Sequence, residues 1–204
     1  MTEIDAKTVM KLREMTGAPM MECKVALKES AGDFNAAKDL LRKKGKATAD
    51  KASSREVKEG KLFSYVHHNG KVAVLCEVVC ETDFVARNEE FNAFGRSICL
   101  TAAAYAPTSL NRESIDAELV AKERVIVTEQ ALMTMKGKPQ QVIDKAVEGR
   151  MDKFFQSKCL MELTFVNPSD QSDTRTVEQV RQELVGKIGE NIMVRRFYYM
   201  ALGS

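Results

Sequence analysis

Apolar residues recur along this chain with two different periods, and the change between them limits what it can fold into. From Ile4 to Gly45 they fall at helical spacing, Val9 with Leu12, Met21 with Val25, and Phe34 with Ala37 and Leu41. From Leu62 they alternate: "LFSYVHH" and "KVAVLCEVVC" flank Asn69-Gly70, a pair suited to the positive φ angles of a type I′ turn. A helical head followed by an antiparallel hairpin is neither all-α nor all-β. The rest of the chain does not repeat as βαβ units, so the expected class is α+β, with a small antiparallel sheet packed by helices.

Punctuation supports the helical head. Gly17, Gly32 and Gly45 each follow an apolar-periodic segment, as expected just past a helix end. Pro19 suits the first turn of the second helix and Asp33 the N-cap of the third. The head with its linker is assigned to residues 1–54 and the α+β core to 55–204. Arg42 to Lys61 holds eight basic and three acidic side chains. It reads as a solvated helix end and linker, with an RNA-facing segment as the alternative.

In the body, Asn88 is a cap for a helix over about Glu89–Tyr105, whose Phe91, Phe94, Ile98 and Tyr105 lie on one stripe. Helices are also expected around Ile115–Met135 and from Pro139 onward. "KCLMELTFV" is either a strand or an extended packing segment. "NPSDQSDTR" is a polar loop, Thr176 and Gln179 open a helix that Gly189 closes, and the chain ends in the strand "NIMVRRFYYM".

Chemistry-bearing motifs are scarce. No GK dipeptide has the upstream glycine and following Ser or Thr of a phosphate-binding loop, and GxSxG, HExxH and GxGxxG do not occur. The two histidines, His67 and His68, are adjacent in an expected strand and should point to opposite faces, a poor basis for a metal site. Cys76 and Cys80, four apart in a strand, should be ~13 Å apart, too far to bridge or share a metal. Five cysteines without a CxxC pair fit a reducing compartment. The hydrophobic content of 44% and charged content of 29% describe a soluble globular chain, and the start "MTEIDAK" lacks the order of a secretory signal. The expectation is a cytoplasmic binding protein, not an enzyme, with no cofactor, no metal and no membrane partner; a carboxylate-based enzyme is the distant alternative, since paired Asp or Glu side chains leave no motif.

One residue stands out. In "CETDFVARNEEF", Phe84 sits where strand-type residues give way to helix-type ones. Composition favours a plug under the following helix; polar neighbours Thr82, Asp83, Arg87 and Asn88 favour an exposed wedge. Both readings stay open on the residues alone.

"LREMTGAPMMECKVALKESAGD" resembles the N-terminal signature of the elongation factor Ts family, and "ETDFVARN" its Thr-Asp-Phe-Val motif. "VEGRM" and "GKIGENIMVRR" are similar to further stretches of that family, in the same order. The resemblance implies a ubiquitin-associated-like three-helix N-terminal domain. It also implies a guanine-nucleotide exchange factor for elongation factor Tu, in its GDP and nucleotide-free forms. By motif position Thr82, Asp83, Phe84 and Val85 enter the GTPase near its magnesium site, which turns the odds on Phe84 toward the wedge. Arg13, Met20, Met21 and Lys24 match the N-terminal motif that touches the nucleotide domain, Met21 being also in part core. Likeness to short, single-core-half members implies a homodimer formed through the 55–204 core, with Phe197, Tyr198 and Tyr199 either at its interface or in the monomer core. Where many members carry a histidine in the helix after the motif, this chain has Thr101, which puts that partner contact in doubt. Without exchange activity, the chain would be a helical-domain adaptor or RNA-binding protein; direct nucleic-acid contact is not expected.

Overall fold

The computed structural model describes residues 4–203, so the first three residues of the expected head and the last of the expected body lie outside the described residues. The described residues form eight α-helices and a three-stranded antiparallel sheet of order β1-β2-β3, an α+β architecture. The strands are β1 (Glu59–Val66), β2 (Val72–Cys80) and β3 (Ile192–Ala201). The chain divides into two compact units. One comprises Met1–Leu62, Glu77–Gly95 and Gln179–Arg195, the other Phe63–Cys76, Arg96–Glu178 and Arg196–Ser204.

The first unit begins with α1 (Ala6–Thr16), α2 (Met20–Glu29) and α3 (Phe34–Ala52). Gly17 ends α1 in the left-handed region and Asp33 caps α3 by accepting from the Ala36 amide at 2.9 Å, both as the residues imply. The core of these three helices is Val9, Leu12, Cys23, Ala26, Leu27, Ala37 and Leu41. Met21 and Val25 are not in it. Both are exposed, because α2 turns its Cys23–Ala26–Leu27 stripe inward, and small residues there let the three short helices approach closely.

Gly45 does not stop the third helix. α3 runs on to Ala52, so much of the expected basic linker is helical. The glycine lies at a helix crossing instead: α8 (Val177–Ile188) passes here, and the close approach depends on Gly186, where an added Cβ would come 2.9 Å from the Gly45 Cα. Gly189 does end α8, its amide bonding the Val185 carbonyl at 2.8 Å. Also in this unit are α4 (Asp83–Arg87) and the start of α5 (Glu89–Tyr105).

In the second unit the β1–β2 connection is longer than a strand ending at His68 would make it, spanning residues 67–71 rather than Asn69-Gly70 alone. Strand β1 stops at Val66, and the Gly70 amide bonds the His67 carbonyl at 2.8 Å, with Gly70 but not Asn69 at positive φ. This differs from a type I′ turn, which needs positive φ at both central residues. Being in the turn, the two imidazoles lie with centroids 4.2 Å apart rather than on opposite faces. Helices α6 (Ala117–Thr134) and α7 (Gln140–Lys158) pack through Val127, Ala131, Ile143, Val147 and Met151. "KCLMELTFV" is neither strand nor helix but a short 3-10 turn, Leu160–Glu162, with isolated bridges Ser109 to Cys159 and Thr164 to Thr176. Tyr105, at the end of the α5 stripe, is exposed.

Candidate functional site

The segment between β2 and α5 is a helical turn, α4, rather than an open loop. Thr82 is its N-cap: the backbone there is extended and the hydroxyl accepts from the Val85 amide at 3.4 Å. Asp83 pairs with Arg87 at 2.9 Å across one turn. Asn88 then accepts from the Glu90 amide at 2.8 Å to start α5, and the Asn92 amide group donates to the Ala86 carbonyl at 3.1 Å, tying the turn to α5.

On this turn Val85 and Ala86 face inward and are buried, whereas Phe84 is 80% exposed. The plug reading is therefore overturned. A five-residue helix puts neighbouring side chains about 100° apart, so anchoring Val85 and Ala86 turns Phe84 outward. Its exposure is the largest among the exposed large hydrophobic side chains of the described residues. The structure places Val85 in the core, so within the Thr82–Val85 group it holds the turn and Phe84 is what the turn presents.

The neck of the turn is held from far along the chain. Thr82 donates its amide to Glu190 Oε2 at 3.1 Å and its hydroxyl to Glu190 Oε1 at 2.7 Å. Next to it, Glu81 accepts from the Asn191 amide at 2.5 Å and from Arg55 at 3.3 Å. Asn191 is buried and donates its side-chain amide to the Arg55 carbonyl at 2.9 Å. Arg55 also reaches the Gly189 carbonyl at 2.9 Å. The Cys80 thiol donates to the Thr82 carbonyl, and burial, followed by the negative charges of Glu190 and Glu59, pushes it up to about 11, so it is no thiolate at neutral pH.

The head residues Arg13, Met20, Met21 and Lys24 are all exposed, Met21 at 68%. Met21 is thus no part of the head core. They belong to the same compact unit as Phe84, and Lys187 lies between the two groups of elements. Its ammonium bonds Glu90 at the start of α5 and sits 2.9 Å from where a Cβ on Gly17, between α1 and α2, would be. Thr101 is buried; its hydroxyl donates to the Ser97 carbonyl at 2.8 Å and accepts from the Val166 amide at 3.0 Å. That side chain is an internal fastener and presents nothing to a partner.

Sequence reasoning did not find Glu190, Glu81, Asn191, Arg55 or Lys187. The stretch "GKIGENIMVRR" drew attention to the neighbourhood, but nothing local ties Glu190 to a residue 108 positions earlier. Among the described residues no group of three or more His, Cys, Asp or Glu side chains could hold a metal ion, and no helix is long and apolar enough to cross a membrane.

The family model described as Elongation factor TS matches residues 43–172. The chain is 48% identical over 202 residues to Elongation factor Ts of Fervidobacterium nodosum, covering 99% of this chain and 100% of that protein. It is 45% identical over 204 residues to Elongation factor Ts of Desulforamulus reducens, covering 100% and 91%. To Elongation factor Ts of Thermotoga maritima it is 44% identical over 202 residues, covering 99% and 98%.

Proposed function

The chain belongs to the elongation factor Ts family of translation elongation factors, and from that premise we propose that it releases GDP from elongation factor Tu by pressing Phe84 into the GTPase near its magnesium site. The observation that carries this reading is a large aromatic side chain, 80% exposed, standing on a capped helical turn whose next two residues are buried. Exposed apolar surface of this kind has a cost in water that burial in a partner removes.

Exchange of this sort needs no covalent step. Binding of the factor and binding of GDP disfavour one another, and the coupling is reciprocal. Magnesium demands near-ideal octahedral geometry and bridges phosphate to protein, so a small displacement of the elements around it weakens the nucleotide strongly. In this reading Thr82 and Val85 fix the turn, Asp83 stands beside the wedge, and Phe84 does the displacing. Arg13, Met20, Met21 and Lys24 supply separate contact area on the nucleotide domain. The head, residues 1–54, docks and the body, 55–204, presents the wedge, in the cytoplasm where translation runs.

The same reading includes a homodimer. Strand β3 is an edge strand that carries Phe197, Tyr198 and Tyr199, and Tyr198 is 60% exposed, as is expected of an interface side chain and not of a monomer core. Light scattering should give twice the chain mass of 22.8 kDa. The deciding experiment for the main reading uses elongation factor Tu loaded with a fluorescent GDP. A small catalytic amount of this protein should speed its release in the presence of excess unlabelled nucleotide, and an unchanged rate would refute it.

A further inference from the structure

Resting on that reading, we infer that Glu190 is a positioning residue for exchange: it aims Phe84 through Thr82. Three observations converge on it. The first is the two-pronged bond, in which one carboxylate takes both the amide and the hydroxyl of Thr82. A carboxylate only accepts, so it dictates where the hydroxyl proton goes. With that proton directed to Glu190, the hydroxyl oxygen keeps a lone pair for the Val85 amide, which is the cap of α4. Glu190 therefore sets the rotor on which the turn under Phe84 depends.

The second is the adjacent pair. Glu81 and Thr82, consecutive before the wedge, bond Asn191 and Glu190, consecutive after α8. Asn191 is buried and anchored to the carbonyls of Arg55 and Ser53, so the segment that carries Glu190 is itself fixed. The third is what else this end of α8 touches. Within five residues Gly186 meets Gly45 of α3, Lys187 meets Gly17 and Glu90, and Glu190 meets Thr82. One short stretch thus contacts the helices that dock and the turn that wedges. The family-like motif "GKIGEN", which neither the head nor the wedge explains, acquires a task as the strut between them.

Glu190 itself needs no contact with the partner in this arrangement. Its loss leaves Phe84 in place but frees the neck, so the side chain spends less time in the direction that displaces the magnesium elements. Docking through the head continues. The signature is a lowered maximal exchange rate with little change in the concentration needed to reach it.

Glu190→Gln provides the test, since the amide keeps the shape but sets its NH2 against a Thr82 donor. GDP release from elongation factor Tu is followed by stopped flow over a range of factor concentrations, alongside thermal unfolding. The saturating rate should fall about tenfold, equivalent to about 1.4 kcal/mol. The half-saturating concentration should stay within about twofold, and the thermal midpoint should fall by at most about 4 °C. Hydrogen exchange should show the Thr82 amide losing protection. If Glu190→Gln does not fold, Glu190→Asp, which keeps the charge but is one methylene short of Thr82, carries the same measurements. A wild-type saturating rate in the variant overturns the assignment. So does a loss of rate that follows the unfolded fraction and recovers on cooling. Failure of the wild-type protein to accelerate release would instead defeat the exchange reading itself.

Discussion

Replacing Phe84 with alanine separates folding from function more cleanly than any other substitution in this chain. The side chain is 80% exposed, so its removal opens no cavity, and alanine is at least as good a helix former. Stability should change by no more than about 0.5 kcal/mol, or about 1 to 2 °C in thermal midpoint for a chain of this size. Partner engagement should suffer far more. Full burial of a phenylalanine contributes about 1.5 to 3 kcal/mol. About four-fifths of that remains to be gained here, which corresponds to roughly a 10- to 50-fold loss in the slope of GDP-release rate against factor concentration. The assay is stopped-flow release of fluorescent GDP from elongation factor Tu, with wild type and variant checked by circular dichroism. A variant that melts many degrees lower would show that Phe84 is a structural plug in solution. A folded variant with wild-type exchange would show that the exposed aromatic is not the wedge.

The helix crossing makes an asymmetric prediction: Gly186→Ala should lower stability by about 1 to 3 kcal/mol, its methyl lying 2.9 Å from the Gly45 Cα, whereas Gly45→Ala, with its nearest neighbour 3.6 Å away, should be neutral or stabilising. Thermal unfolding of the two variants side by side checks it. In the polar loop, the Arg175 guanidinium holds the Asp173 carboxyl well below the usual carboxylate range, helped by the Arg175 amide and by Asn167. A depressed folded-state value means the contribution is fully present above the unfolded value of about 3.9 and is lost as the pH falls below it toward the folded value. Asp173→Asn should therefore cost about 1 to 2 kcal/mol at neutral pH, reduced by the solvent exposure of Arg175, with the difference from wild type shrinking below about pH 4 in denaturant melts. All five cysteines are free and buried, and burial pushes Cys80 and Cys159 up to about 11, so a thiol reagent at pH 8 should label none in the native state and five in denaturant.

Much of the secondary structure was legible in the residues because each signal acts on its own neighbourhood. Asp33 and Asn88 cap helices through their own side chains, Gly17 and Gly189 adopt the positive φ that ends them, and alternation around Asn69-Gly70 brings two strands together. The same local logic failed at Gly45, where the sign of a helix end was the mark of a helix crossing, and at Met21, where helical spacing did not say which face would turn inward. In the site, the Thr-Asp-Phe-Val stretch was visible as a motif, but Phe84 could have been core or surface.

Backbone preference and periodicity are properties of adjacent residues, and they set where most helices and strands begin, the α+β class and the strand-to-helix junction that carries Phe84. Packing set the rest: that Phe84 faces outward, that Thr101 is an internal fastener, and that Glu190 grips Thr82 across 108 positions. Those outcomes depend on which surfaces are buried against which. A carboxylate in a chain with 29 acidic residues carries no local mark of the hydroxyl it will meet.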